Sequence, residues 1–209
     1  MAEAPVHNVG SHELRDFFDQ RAHKWDSMTM PGTNDRIAAI LSRLEIDPDG
    51  RVLDIGSGTG ILLPFLLKRL DVSGSIVEMD IAAGMLKKGR EKESDGRIAF
   101  VQGDAHSLPF ASAAFDLVLC HNTFPHFADK MRALREISRV TAAGGRLVIS
   151  HTMSREAVNS LHRDIGGVVG HDQLPEDGAL VNWLEQAGFR WPSIENVPER
   201  YLVVAWKGR

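Results

Sequence analysis

Three glycines, at positions 56, 58 and 60, follow the apolar run Val52-Leu-Asp-Ile55 and precede a segment with helical spacing. Bare backbone at such a turn lets a ligand approach closely. A helix start beyond it offers free N–H groups to an anion. The spacing then selects among ligands. A dinucleotide fingerprint, G-x-G-x-x-G, needs a glycine at 61, where Ile61 stands. The run is G-x-G-x-G, and Asp54 lies two residues before its first glycine. That carboxylate repels a pyrophosphate and attracts an ammonium. A tight turn with no ligand is the alternative. Two more acids, Glu78 and Asp80, close a second apolar run and share a strand face. Histidines supply the other chemistry. His121, His126 and His151 follow the ends of later apolar runs, and neutral imidazole is a suitable base near pH 7. A purely structural role for each is the competing expectation. His151, His162 and His171 form a second grouping, without the i, i+4 spacing of a metal-binding helix. Cys120 reads as a buried strand residue rather than a nucleophile.

The elements that must position these residues follow from periodicity. Leu14, Phe17, Phe18, Ala22 and Trp25 predict an amphipathic helix over 12–25. Ile37, Ile40, Leu41 and Leu44 predict a second, ended by Pro48-Asp-Gly50. Strands are expected at 51–55, 75–79, 97–102, 115–119 and 146–150. Helices are expected at 61–70, 82–93 and 129–140. This alternation implies a parallel sheet with helices on both faces. Beyond Ser150 the alternation stops. Residues 151–175 hold Gly166, Gly167 and Gly170 and predict a short helix and a mobile segment. A helix over 179–187 and a strand pair, 194–197 and 201–206, close the chain.

In this order, the segments resemble the class I S-adenosylmethionine-dependent methyltransferases. Val52 to Gly60 is similar to that family's first motif, and Glu78-Met-Asp80-Ile-Ala-Ala-Gly-Met85-Leu to its second. Gln102-Gly-Asp104-Ala105-His-Ser-Leu-Pro109-Phe110 resembles its third, and Phe115-Asp-Leu-Val-Leu-Cys120 its fourth strand. Leu134 to Val140 with Gly144-Gly-Arg-Leu-Val148 resembles its helix, glycine turn and fifth strand. The resemblance implies an α/β fold, a doubly wound Rossmann-like seven-stranded sheet, mostly parallel with an antiparallel last strand. It implies S-adenosylmethionine as cofactor, S-adenosylhomocysteine as product, and in-line transfer of a methyl group to a small-molecule acceptor. The quinone-biosynthesis C-methyltransferases are the similar branch. By position, Asp54 is expected to hold the ligand's ammonium, with Gly56, Ser57, Gly58 and Gly60 as the cradle. Asp80 is expected to take the ribose hydroxyls, with Glu78 as runner-up. Asp104 and Ala105 are expected at the adenine, flanked by Ile81 and Met85. Cys120 and His121 complete the cofactor set. Ser57 and Ala82 depart from the family's frequent cysteine and serine, at positions that need supply no chemistry. The rivals are a cofactor-binding protein without catalysis and, against Ile61, a nicotinamide oxidoreductase.

The 209 residues carry 24 Lys+Arg and 28 Asp+Glu, a net charge of −4. That argues against a general nucleic-acid or membrane-surface binder. One cysteine allows no intrachain disulfide and suits a reducing cytoplasm. The run Ile61 to Leu67 is far shorter than the roughly 20 residues of a membrane span. The first residues, with Glu3 and His7, do not read as a signal peptide. A single domain is expected: a helical cap at 1–47, a cofactor core at 48–150, a variable lid segment at 151–178 and a terminal unit at 179–209. The first helix is expected to act as a lid, with core packing of Trp25 as the alternative.

Overall fold

The computed structural model describes residues 10–208. The reading of the first residues, with Glu3 and His7, therefore lies outside the described residues. Seven strands form one sheet: β1 (Arg51–Ile55), β2 (Ser75–Asp80), β3 (Ile98–Gln102), β4 (Phe115–His121), β5 (Thr141–His151), β6 (Phe189–Val197) and β7 (Arg200–Lys207). Their order is β3-β2-β1-β4-β5-β7-β6. Strands β1 to β5 pair in parallel, and β7 runs antiparallel to both β5 and β6. The chain moves outward from β1 to β3 and returns to β4 on the other side of β1. This reversal opens a crevice beyond the strands' carboxyl ends, where ligands bind in such sheets.

Alternation along the strands builds two cores. Leu53, Ile55, Val118, Cys120, Leu147 and Ile149 face α5 (Lys130–Val140) and α7 (Asp177–Gln186). Val52, Ile76, Leu117, Leu119 and Val148 face α2 (Thr33–Leu41) and α3 (Leu63–Leu66). A third, small cluster joins Met85 of α4 (Ala83–Lys92) to Ala22 and Ala82, with Phe18, Trp25 and Ile81 against it.

Several elements differ from their expected bounds. The helix expected over 61–70 contracts to the single turn of α3. Pro64 lacks an N–H in its first turn, and the chain then tightens, with Arg69 N–H donating to the Leu66 carbonyl. Strand β5 starts at Thr141, because Gly144 at φ 77° lets the strand bulge between its pairings with Phe115 and Leu117. Strand β6 starts at Phe189, with a similar irregularity around Trp191. The helix expected over 12–25 splits into α1 (Ser11–Arg21) and a 3-10 segment, Ala22–Met28. No residue of α1 is buried; Leu14, Phe17 and Phe18 instead face a cavity. Residues 151–175 carry a three-turn helix, α6 (Arg155–Ile165), whose N-cap Ser154 accepts from Ala157 N–H. Val158, His162, Val169 and Leu174 anchor this region by burial.

Candidate active site

One cavity of about 460 Å³ lies over the carboxyl ends of β1, β2, β4 and β5, between α1 and α6. Its two compartments differ in chemistry.

The first surrounds the glycine turn. Gly56 and Ser57 N–H groups both donate to the Met79 carbonyl, at 2.7 and 3.1 Å, so the turn is pinned to the end of β2. Gly56 sits at φ 67°, and a Cβ there would lie 2.0 Å from Thr123 Oγ1. Only glycine meets both conditions. Asp80 ties this turn to α4: one carboxylate oxygen accepts from Gly58 N–H at 2.9 Å and the other from Ala82 N–H at 2.8 Å. Burial pushes its pKa up to about 6, against the effect of those two bonds. Each oxygen retains a lone pair toward the cavity it lines.

Asp54 and Glu78 stand in contrast. Both carboxyl groups are buried, and among the described residues none of their four oxygens has a hydrogen-bond partner. Burial raises both pKa values well above the usual range; the charge of Asp80 adds to the effect at Asp54, and that of Asp54 at Glu78. Buried carboxyls without partners stay protonated or wait for a cation. Asp54 lines the cavity and can meet one; Glu78 does not line it. Gly58, Ser57, Ile81, Met85, Asp104 and Ala105 also line the cavity, whereas Gly60 and Cys120 do not. A Cβ at Gly60 would strike Leu63 Cδ1 at 2.7 Å, so that glycine serves the packing of the turn. Cys120 is a core residue, completely buried, with its thiol pKa raised by burial. The Cys120 side chain packs in the core, as the strand reading expects, and does not line the cavity.

Asp104 follows β3 and holds more than the sequence suggests. Its Oδ1 accepts from His106 N–H at 2.9 Å and lies 2.5 Å from His106 Nδ1; its Oδ2 accepts from the Ser11 hydroxyl at 2.8 Å. Burial raises its pKa, but these bonds outweigh that and hold it below the usual value. His106 Nε2 in turn accepts from Asp129 N–H at 3.1 Å. This fixes the tautomer, with the proton on Nδ1 facing Asp104. Sequence reasoning missed His106, although Asp-x-His in a turn is a local hydrogen-bonding pattern. Ser11 latches the start of α1 to this compartment. Asp19 accepts from Gly84 N–H at 2.6 Å, and Asp26 accepts from the Thr59 hydroxyl at 2.5 Å. The helix and its 3-10 continuation thus roof the cavity, with Trp25 Nε1 3.8 Å from the Cβ position of Gly58.

The second compartment lies beyond β4 and β5. His121 is buried, with Nδ1 2.9 Å from Ser150 Oγ and Nε2 3.2 Å from Asn122 Nδ2. Burial lowers its pKa to about 4. His151 is buried too, its Nε2 without a partner, and burial lowers its pKa well below the usual value. Asn122, at φ 54°, turns the chain out of β4; asparagine tolerates that conformation. His126 opens toward the cavity beside Phe18, ring centroids 5.3 Å apart, with His162 of α6 on its other side. His171 does not line the cavity. Among the described residues, no group of three or more His, Cys, Asp or Glu side chains is arranged to hold a metal ion. The cavity's outer rim carries Met28, Met30, Leu161 and Ile165, four of the six large apolar side chains exposed among the described residues.

Comparison with known proteins agrees with this geometry. The methyltransferase domain family matches residues 53–149. The ubiquinone/menaquinone biosynthesis C-methyltransferase UbiE of Hahella chejuensis is 37% identical, over 86% of this chain and 74% of its own. The demethylmenaquinone methyltransferase of Beutenbergia cavernae is 34% identical, over 94% and 84%. Among solved structures, a SAM-dependent methyltransferase from Aquifex aeolicus superposes with a TM-score of 0.70 at 20% identity, covering 88% of this chain and 96% of that one. The Haemonchus contortus phosphoethanolamine N-methyltransferase 2, with phosphomonomethylethanolamine and S-adenosylhomocysteine, reaches 0.76 at 18% identity, over 93% and 60%. These two share the fold.

Proposed function

The chain belongs to the class I S-adenosylmethionine-dependent methyltransferases, and on that premise we propose that it methylates the ring of a quinone-class acceptor. Its relatives' names supply the acceptor class. The observation that carries it is the cavity itself, which joins a glycine cradle to a histidine-lined compartment with an apolar mouth.

The residues of the first compartment fit S-adenosylmethionine. The partnerless Asp54 carboxyl is suited to the ammonium of the methionine part. Gly56, Ser57 and Gly58 leave backbone bare beside it. Asp80 retains lone pairs for the ribose hydroxyls, and its cavity position favours it over Glu78. Asp104 and Ala105 suit the adenine edge, with Ile81 and Met85 as apolar flanks. When bound, S-adenosylmethionine supplies a methyl group on a sulfonium, already activated for attack. The chain's own task is then to orient the acceptor and exclude water. The roof of α1, latched at Ser11, Asp19 and Asp26, is suited to exclusion. Met28, Met30, Leu161 and Ile165 are suited to an acceptor with an apolar appendage leaving by the mouth. No helix among the described residues is long and apolar enough to cross a membrane. A reducing cytoplasm suits the single buried thiol.

The test is transfer of a labelled methyl group to 1,4-naphthohydroquinones with and without a short isoprenoid chain. Labelled ring product, formed faster with the chain present, is the expected result. Cofactor binding by calorimetry without transfer to either compound would leave a binding protein without catalysis.

A further inference from the structure

His126 and His162 lie on different elements, yet one residue holds both. The Asp172 carboxylate Oδ2 is 2.7 Å from His126 Nδ1, and the Asp172 backbone carbonyl is 2.7 Å from His162 Nδ1. A carbonyl oxygen carries no proton, so Nδ1 of His162 is the N–H. The carboxylate selects the same tautomer in neutral His126. Each ring therefore presents an Nε2 lone pair. Among the described residues neither Nε2 has a hydrogen-bond partner, and both side chains line the cavity with ring centroids 4.9 Å apart. The remaining histidines of this compartment lack that arrangement. Both His121 nitrogens have polar neighbours, at 2.9 and 3.2 Å. His151 is buried, and among the described residues its Nε2 has no partner and no carboxylate is bonded to its ring.

We propose that His126 accepts the proton of an acceptor hydroxyl during methyl transfer, with Asp172 as its positioning residue. This rests on the ring-hydroxyl acceptor proposed above. The hydroxyl O–H bond breaks and its proton moves to Nε2. The oxygen's electron pair makes the neighbouring ring carbon nucleophilic. That carbon bonds to the methyl group as the methyl–sulfur bond breaks, its pair remaining on sulfur. The ring carbon then releases its own hydrogen as a proton to solvent, and the proton on Nε2 returns to the oxygen. His162 keeps a second bare nitrogen in the same space, so the pair favours an acceptor that brings a donor. The carboxylate–imidazole pair is the arrangement that general bases use to fix tautomer and stabilise the imidazolium.

The charged and titratable groups around His126 are Asp172, His162 of α6, His151 of β5, Lys130 of α5 and Asp80 of β2. Lys130 is occupied by the Pro125 and Phe127 carbonyls. Asp172 is the one of these bonded to the His126 ring.

The test compares wild type, His126→Asn and Asp172→Asn with 1,4-naphthohydroquinone as acceptor. His126→Asn is expected to lower kcat by about a hundredfold or more, with S-adenosylhomocysteine affinity within about twofold. Asp172→Asn is expected to lower kcat by about tenfold, with acceptor KM and S-adenosylhomocysteine affinity within about twofold, because the ring loses the carboxylate that fixes its tautomer. Asp172→Glu should recover part of that loss, a rescue confined to kcat that a merely structural role would not produce. A His126→Asn variant within about threefold of wild-type kcat, or an Asp172→Asn variant with unchanged kcat, overturns the proposal. If wild type methylates no hydroquinone, the acceptor reading has failed, and 4-nitrophenol then reports on the base. In the S-adenosylhomocysteine complex, wild type should bind it with a lower ionisation pH than His126→Asn does. Equal values overturn the proposal.

Discussion

The two compartments of the cavity solve opposite problems. Around the glycine turn, acids dominate: Asp54, Asp80 and Asp104 line the wall, and Glu78 lies behind them. Beyond β4 and β5, histidines and an apolar rim dominate. The acidic side is built to be incomplete, since among the described residues Asp54 and Glu78 have no partner. The histidine side is satisfied at one edge of each oriented ring: Ser150 and Asn122 occupy His121, and Asp172 occupies Nδ1 of His126 and His162, leaving their Nε2 atoms bare. On the proposed reading, the difference teaches that charge complementarity serves the cationic cofactor, while shape and hydrogen-bond direction serve the acceptor.

Four outcomes would sharpen or break this contrast. The largest is Gly56→Val. It combines a positive φ, costing about 1–2 kcal/mol, with overpacking against Thr123, about 1–3 kcal/mol. Urea denaturation should show a loss of about 2–5 kcal/mol, and calorimetry no cofactor binding. Normal behaviour would reduce the turn to an ordinary connection.

Next is Asp80→Ala, which leaves the Gly58 and Ala82 N–H groups without their acceptor. S-adenosylhomocysteine affinity should fall at least tenfold, about 1.4 kcal/mol, while kcat for bound acceptor changes less. Unchanged affinity by calorimetry would break the division between the compartments.

The third concerns pH. The pKa of Asp80 in the folded chain, about 6, lies above its ordinary 3.8. Between these values the native state keeps a proton that the unfolded chain has lost, so stability falls as pH rises through this window. From about pH 5 to about pH 7, Asp80 alone removes about 1 kcal/mol from the free protein. Asp80→Asn should flatten that part of the curve in urea titrations. The raised values of Asp54 and Glu78 act in the same direction. Cofactor affinity should rise with pH above the ordinary carboxylate range, as Asp54, its pKa raised by burial, ionises against the ammonium. A pH-independent affinity would contradict the electrostatic account.

The smallest effect is Ile165→Lys at the rim. As an exposed position it should change stability by less than about 0.5 kcal/mol and leave cofactor affinity alone. KM for an isoprenoid-bearing hydroquinone should rise several-fold, and KM for the bare ring should not. Equal changes would remove the rim from acceptor binding.

The acidic compartment was legible because its grammar is local. Asp54 and the three glycines lie within seven consecutive positions, and Asp80 closes a strand that apolar alternation predicts. The sheet was legible for the same reason: each strand and helix carries its own period. His121, His126 and His151 were legible as candidates because they follow strand ends, and all three line the cavity. Their partners were not legible, because the bonds span the chain: Asp172 meets His126 across 46 residues and Ser150 meets His121 across 29, as Ser11 reaches Asp104 across 93 on the acidic side. No window along the sequence contains both members of such a pair. At 151–175 the expected short helix is present as α6, capped by Ser154, and composition gave no sign that Val158, His162, Val169 and Leu174 would be buried. Periodicity over 61–70 promised a helix that Pro64 and the tightening after it reduce to one turn.

Helix α1 touches both compartments at once. Ser11 bonds Asp104 on the acidic side, and the Phe18 ring lies against His126 on the other. One door therefore serves two rooms. Under the proposed lid role, lifting it to release a spent cofactor would also uncover the acceptor's place, and closing it over either ligand would close it over both. Turnover should then follow a sequential order, with both ligands aboard before chemistry, and its pace set as much by the swing of eleven residues as by the transfer they cover.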